Sequence, residues 1–261
     1  MARNKERWVK TPEELDALRE SGQRLAMVMA VVGEAVQAGV STLELDRIAE
    51  AKIRELGGIP VFKGYPSGGA QPFPATICSS LNNEVVHGIP SASRIIQSGD
   101  LVKIDMGLRY RGMVSDMART FAVGEVSAEA KRLMETTARS LDCGIDVLRP
   151  GARLRDFSRA VAGVAESAGF GVVRDLVGHG VGYHLHEEPN IPNWVDNSVE
   201  NFTFLEGMAV ALEPMINAGT WKVRIGDDGW VYETADGKLS AHFEDTVIIT
   251  RNGAEIVTRA E

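Results

Sequence analysis

Four acidic residues and three histidines sit where ordinary surface residues would not be expected. Leu101 to Gly107 and Met113 to Val123 read as two strands, joined by a tight connection at Arg109 to Gly112. Asp105 and Asp116 lie symmetrically about the midpoint of that hairpin, so antiparallel pairing places their carboxylates nearly opposite each other. Two such charges about 4 Å apart repel by on the order of 4 kcal/mol at an effective dielectric of 20, so the pair requires a cation or a raised pKa. A single aspartate near a hairpin usually does no more than cap a turn. The second half of the chain repeats the pattern, however. Glu213 closes the strand-like run from Ala209, Glu244 lies in His242-Phe243-Glu244-Asp245, and their midpoint falls on the hairpin dipeptide Asp228-Gly229. Superposing the halves brings four carboxylates toward one centre, and four negative charges match two divalent cations.

Histidines complete the set. His179 lies among glycines in Gly178-His179-Gly180-Val181-Gly182, where backbone can approach closely and a metal or substrate can reach the ring. Those glycines form neither a GxGxxG fingerprint nor a phosphate loop with its lysine, so nucleotide binding is discounted. His87 and His186 each precede turn chemistry after an apolar run. Taken singly, each reads as a hydrogen-bonded structural residue. Three of the five histidines in such settings, beside four placed acids, read as a site. One imidazole with several carboxylates suits Mn, Fe(II), Co or Zn better than a thiolate-seeking metal.

The elements that must position these groups are legible from caps and periodicity. Thr11-Pro12-Glu13-Glu14 is a capping box that opens a helix, whose apolar stripe runs through Leu15, Leu18, Gly22, Leu25, Met29, Val32 and Val36. A second box at Ser41 to Glu44 opens a helix bearing Leu45, Ile48, Ile53 and Leu56, stopped by Gly57-Gly58. Strand-like sequence follows to about Gly124. From Ser127 the grammar returns, with one helix to Leu148, a Pro150-Gly151 break and another helix carrying Leu154, Phe157, Val161 and Val164. Ser98 to Asp105 matches Glu206 to Glu213 locally, Gly99 with Gly207 and one acid with the other. A repeat of that length is too long for a solenoid and fits two similar halves around a shared centre.

Composition narrows the function classes. The chain has 261 residues, 44% hydrophobic and 25% charged, as an ordinary globular protein does. No apolar stretch approaches the roughly 20 residues a bilayer requires, and the charged start, Met1 to Arg7, lacks the pattern of a secretory signal. Cys78 and Cys143 have no CxxC spacing and suit a reducing compartment, so the expectation is a cytoplasmic protein. A formal charge of -8, without basic blocks, argues against a nucleic-acid partner.

Taken together, these residues resemble the methionine aminopeptidases, type I members of the two-metal pita-bread (creatinase/aminopeptidase) peptidase fold, family M24. The resemblance runs from Thr11 to about Thr250, and its most specific stretches are Asn83 to Pro90, Ile104-Asp105, Ser115-Asp116, Gly178-His179-Gly180, His186 to Pro189, Glu213-Pro214-Met215 and Phe243 to Thr246. It implies an α+β fold of two pseudo-symmetric halves, with a curved antiparallel sheet flanked by helices. Residues 1–261 would form one catalytic domain with internal halves at approximately 11–124 and 125–250. It implies Asp105, Asp116, His179, Glu213 and Glu244 as ligands of two divalent ions, with Asp116 and Glu244 bridging. The implied reaction is removal of the N-terminal methionine from peptides and nascent proteins by a metal-bridged water. Glu213 would shuttle its proton, and His87 and His186 would contact substrate and stabilise developing charge. A substrate amine held by one metal would confine cleavage to the N-terminus. Tyr65 and Trp230 are implicated in the methionine pocket, although Trp230 fits hairpin packing equally well. A monomer working near the ribosome exit tunnel is the implied setting.

The chain also departs from that pattern. Ser115 to Phe121 resembles the Xaa-Pro peptidases of the same fold as well, so an Xaa-Pro aminopeptidase or dipeptidase is the alternative, followed by a non-catalytic binding module. Leu185 stands where many type I enzymes carry an aromatic. Gly68 to Pro74 reads as a loop inserted beside the pocket. Against the Xaa-Pro reading stand Asn83 to Pro90 and the long segment from Asn217 to Ala241. The stretch between His186 and Glu213 is too short for the type II helical insertion, and no N-terminal zinc-binding extension is expected.

Overall fold

The computed structural model describes residues 8–66 and 71–259. Its element order is two helices then strands, twice over. The first set comprises α1 (Pro12–Ala35), α2 (Thr42–Glu55), β1 (Ile59–Pro60), β2 (Ile77–Leu81), β3 (Glu84–Val86), β4 (Leu101–Tyr110) and β5 (Met113–Ala122). The second opens with α3 (Ala128–Asp146) and α4 (Leu154–Ser167), followed by the short strands β6 (Gly171–Val172), β7 (Gly178–Gly180) and β8 (Glu187–Ile191). It continues through β9 (Ala209–Leu212), β10 (Met215–Asn217), β11 (Val223–Ile225), β12 (Tyr232–Thr234), β13 (Ser240–His242), β14 (Asp245–Thr250) and β15 (Gly253–Ile256).

Helix starts follow the cap chemistry. Thr11 accepts from Glu14 N and the Glu14 carboxylate accepts from Thr11 N, a complete capping box with Pro12 behind it. At α2 the Ser41 hydroxyl accepts from Glu44 N, which is the serine half of the expected box. The apolar stripes of α1 and α2 bury Leu25, Val32, Leu45 and Ile53 against Val102, Ile104, Met106 and Leu108 of β4. In the second half Leu141, Phe157 and Val161 cover Val210, Leu212 and Val247 in the same manner. Each such side chain contributes about 1.5–3 kcal/mol when fully buried. Among the described residues all strand pairings are antiparallel. Helices cover one face of the sheets, leaving the alternate residues of β4, among them Lys103, Asp105 and Gly107, for the opposite face.

One register expectation is corrected. Asp105 pairs with Ala118, and Asp116 with Gly107, so the two aspartates are diagonal neighbours. The cause is the turn. Arg111 and Gly112 both have positive φ, 48° and 84°, as a two-residue type I′ loop requires, and Tyr110 is thereby drawn into the strand to pair with Met113. The midpoint moves by one residue and the pairing by two, so both carboxylates keep the same face. The other hairpin has the expected centre. Leu212 pairs with Asp245 and Met215 with His242, a common register that sets Glu213 opposite Glu244 and turns at Asp228-Gly229.

The halves are stitched together between β5 and the β13–β14 segment. Ala118 and Glu244 exchange backbone hydrogen bonds (Glu244 N to Ala118 O 2.9 Å). On either side a threonine hydroxyl completes the seam. Thr246 Oγ1 accepts from Asp116 N and donates to Asp116 O, both at 2.8 Å, and Thr120 Oγ1 accepts from His242 N and donates to His242 O. The buried Lys103 ammonium adds a further tie, donating to Asn82 O of one half and Ser240 O of the other.

Candidate metal centre

Cross-strand partners share a face, and following them across the seam collects the predicted ligands one by one. Asp105 stands opposite Ala118, Ala118 opposite Glu244, and Glu244 opposite Glu213 by the register of the second hairpin. Ala211, two residues before Glu213, pairs with His179 on β7. Gly107, Ala118 and Ala211 are the small residues in this chain of partners, and they leave the face open for longer side chains. Asp116, His179 and Glu244 have ligand atoms all within 4.8 Å of one another. His179 Nε2 is 3.9 Å from Asp116 Oδ2 and 3.3 Å from Glu213 Oε1. Asp105 lines the same cavity and adds its charge to both Asp116 and Glu244.

The two glycines around His179 serve strand packing. A Cβ on Gly178 would come within 2.6 Å of Ala211 O, and one on Gly180 within 2.4 Å of Glu188 O, so β7 fits between its neighbours only as Gly-His-Gly. The His179 Nδ1–H faces Gly180 O at 3.0 Å, which leaves Nε2 as the unprotonated nitrogen turned to the carboxylates.

Electrostatics shows that a cation fits this donor set. Burial pushes Asp105, Asp116, Glu213 and Glu244 well above the usual carboxylate range, and mutual repulsion adds to it for Asp105, Asp116 and Glu244. Burial also holds His179 down to about 4, so it is neutral and ready to ligate. Among the described residues Asp105 Oδ1, Asp116 Oδ1 and Glu244 Oε1 are buried without a hydrogen-bond partner. Buried oxygens of that kind are costly unless something positive meets them, and divalent ions on carboxylate and imidazole donors do so.

The predicted substrate residues gather at the same cavity. Tyr65, His87, His186 and Trp230 line it together with Phe62, Phe73, Cys78, Val86 and Leu185, and it holds about 100 Å³, several times the roughly 10–15 Å³ one water needs. His87 adopts a left-handed φ of 62°, a backbone strain of order 1–3 kcal/mol for a residue with a Cβ, and its ring lies edge-on to Tyr232 and Trp230. His186 Nδ1 is 2.5 Å from the Tyr65 hydroxyl, and its ring meets His179 at 4.4 Å between centroids. Burial lowers His87 to about 4 and His186 to about 3, the second also through His179. Trp230 has contacts on two sides. It lines the cavity, packs on Phe73, and its indole N–H donates to Gln71 O. Of the loop expected at Gly68 to Pro74, residues 68–70 lie outside the described residues.

Comparison with known proteins agrees with this geometry. The model of metallopeptidase family M24 matches residues 16–251. The chain belongs to family M24. A methionine aminopeptidase of Treponema pallidum is 46% identical over 96% of this chain and 95% of its own length. The crystal structure of methionine aminopeptidase from Thermotoga maritima superposes with a TM-score of 0.91 at 38% identity, covering 97% of this chain and 99% of that one. An Xaa-Pro dipeptidase from Bacillus anthracis shares the pita-bread fold, with a TM-score of 0.77 at 24% identity, but this chain spans 63% of it. The methionine aminopeptidase reading is thus favoured over the Xaa-Pro alternative. Among the described residues no helix is long and apolar enough to cross a membrane.

The sequence reading missed His242, which sits beside the acids with 1% of its side chain exposed and its Nε2 3.8 Å from Glu213 Oε2. A signal existed. Two residues before Glu244, it must share that residue's face wherever the strand holds. Cys78 pairs with Asp105 across β2 and β4, a long-range contact that no local pattern announces.

Proposed function

We propose that this chain removes the N-terminal methionine from peptides and nascent proteins, with two divalent ions held by Asp105, Asp116, His179, Glu213 and Glu244. The observation that carries the reading is the meeting, across the seam between the halves, of four crowded carboxylates, three of them with a buried oxygen that has no partner among the described residues, and a neutral imidazole beside an apolar cavity. Bound ions would supply acidity to a water and polarise the scissile carbonyl. Asp116 and Glu244, on the seam between the halves, would be shared by the two ions. Oxygen and nitrogen donors without thiolate favour Mn, Fe(II), Co or Zn.

The remaining roles belong to side chains. Glu213, with its carboxylate beside His179, takes a proton from the attacking water and returns it to the departing amine. Tyr65 donates to His186 Nδ1, which leaves the ring proton on Nε2 to stabilise charge on the carbonyl oxygen. His87, neutral and fixed by its strained backbone, faces the substrate nitrogen. Phe62, Tyr65, Phe73, Leu185 and Trp230 surround the methionine side chain and exclude water from it. The same reading makes residues 1–261 one catalytic domain, with halves at about 11–124 and 125–250. It works as a monomer in the cytoplasm, where chains leaving the ribosome exit tunnel supply the substrate and neither nucleic acid nor membrane takes part.

The test is release of methionine from Met-Ala-Ser by chelated protein reconstituted separately with Mn, Fe(II), Co and Zn, with an Xaa-Pro peptide alongside. Metal-restored methionine release is expected. Cleavage of the proline peptide alone would transfer the chain to the Xaa-Pro peptidases, and no cleavage with any metal would leave a binding module.

A further inference from the structure

His242 is a buried imidazole for which the roles above have no use. Its backbone is clamped from both directions by Thr120 Oγ1, which accepts from the His242 N–H at 2.9 Å and donates to its carbonyl at 2.7 Å. The ring, by contrast, has no hydrogen-bond partner at either nitrogen among the described residues. An imidazole carries at least one ring N–H whatever its protonation state, so this buried ring has a hydrogen that must go somewhere. An unpaired buried donor costs about 1–3 kcal/mol. Among the described residues the carboxylate oxygen that approaches a His242 nitrogen is Glu213 Oε2, at 3.8 Å from Nε2, while Oε1 of the same group is 3.3 Å from His179 Nε2. Glu213 is therefore bracketed by two imidazoles, one at each oxygen. His179 turns a lone pair toward it, because its own hydrogen is committed to Gly180 O.

We infer that His242 is a positioning residue for Glu213: its Nε2–H donates to Oε2 and so turns Oε1 toward His179, the cation and the substrate. A side-chain adjustment of under about 1 Å closes the contact to hydrogen-bond length. The clamp at Thr120 explains why the imidazole, and not the strand, sets the direction. Partners that orient a metal-binding carboxylate are typically worth 10–100-fold in affinity or turnover.

The inference rests on the assignment of Glu213 above, and its test separates the two. Metal-free wild type, His242→Leu and His242→Gln are titrated with Mn²⁺ by calorimetry, melted without metal, and assayed on Met-Ala-Ser. His242→Leu is expected to lose about tenfold or more in Mn²⁺ affinity and in kcat with KM changed less than about twofold, whereas His242→Gln, which retains an N–H donor, recovers most of both. A packing role ranks the variants the other way, since leucine suits a buried site and an unpaired amide does not. In a Glu213→Gln background His242→Leu should add no further loss. Wild-type affinity in His242→Leu, or equal impairment in the two folded variants, would overturn the inference. Should His242→Leu not fold, His242→Met, also without a donor, replaces it. Failure of wild type to release methionine would sink the functional reading, while the Mn²⁺ ranking still judges His242.

Discussion

The two acid-bearing hairpins do the same job with different construction. In the first, β4 and β5 run ten residues each without a break, turn in two residues, and place each aspartate opposite a small neighbour, Asp105 facing Ala118 and Asp116 facing Gly107. In the second, the register is kept from Ala209 to Ile225 but the ladder is interrupted at Glu213-Pro214 and again beyond Asn217. Pro214 has no N–H to give, and Glu213 faces Glu244 directly. The continuous hairpin is a framework whose charges are spaced diagonally. The interrupted one sets like charges face to face, which is tolerable with a cation between them or a proton on one of them, and then runs on so that Tyr232 pairs with Val86 and Trp230 reaches the cavity near His87. One hairpin builds the floor of the site, and the other builds part of the floor and the wall above it.

The sharpest break in this comparison is Asp116→Asn, which removes the first hairpin's charge that lies within 4.8 Å of His179 and Glu244. Turnover is expected to fall by more than roughly 100-fold, the limit that outer-shell changes usually reach, with Mn²⁺ binding weakened by calorimetry. The metal-free fold should persist in circular dichroism, because one repulsive charge has gone. Unchanged peptide cleavage would remove the ligand role. Next comes Ala118→Val. Ala118 is the residue opposite an acid of each hairpin, Asp105 on one side and Glu244 on the other. Two added methyl groups on that crowded face should cost about 1–3 kcal/mol in denaturant unfolding and push the halves' carboxylates apart. A variant as stable and as tightly metal-bound as wild type would show that the seam has slack.

Much of this was legible in the chain because it is local. Capping boxes, period and the acid pairs about each turn follow from residues close in sequence. So does the Glu213–Glu244 register, since Asp228-Gly229 names its own turn. The first register was not, because its type I′ loop uses Arg111, a side chain that rarely takes positive φ and so gives no warning. The seam was hidden for another reason. Thr120 and Thr246 replace ladder hydrogen bonds with hydroxyls across more than a hundred residues of chain, and no period or spacing encodes that. The lining by Phe62 and Phe73 escaped notice likewise, as aromatic residues in a Gly- and Pro-rich stretch look the same whether they pack or bind.

A smaller effect separates acids from histidines along the pH axis. In metal-free protein the four carboxylates have raised pKa values, so their destabilisation is present at alkaline pH and is relieved as they take up protons above the ordinary carboxylate range. The buried rings of His87, His179, His186 and His242 are lowered to about 4, 4, 3 and 3, so their contribution is present above the unfolded value near 6.5 and is lost as pH falls toward those numbers. Chelated protein should therefore gain thermal stability as pH is lowered from the alkaline side and the carboxylates take up protons, and lose it below about pH 6.5 as the histidines begin to charge in the unfolded chain. Metal-loaded protein should lack the first gain, because deprotonated ligands are then the stabilised form. A chelated protein whose melting temperature falls as pH is raised through the range in which the acids lose their protons is expected, and a profile flat on the whole alkaline side of the ordinary carboxylate range would mean that the acids are not crowded in solution.

The mildest test addresses the wall. Trp230 stands beyond the point where the second hairpin leaves the acids, so Trp230→Ala should spare the floor. Its edge-on contact with Phe73, centroids 5.1 Å apart, is worth about 0.5–1.5 kcal/mol. If that contact and the indole N–H to Gln71 shape the cavity, KM for Met-Ala-Ser should rise roughly threefold to tenfold with kcat and Mn²⁺ affinity little changed, tenfold corresponding to about 1.4 kcal/mol. A drop in kcat at unchanged KM would mean instead that Trp230 acts through His87, whose ring it meets edge-on. The interrupted hairpin would then be a single device for wall and chemistry, and the division drawn between its two parts would fail.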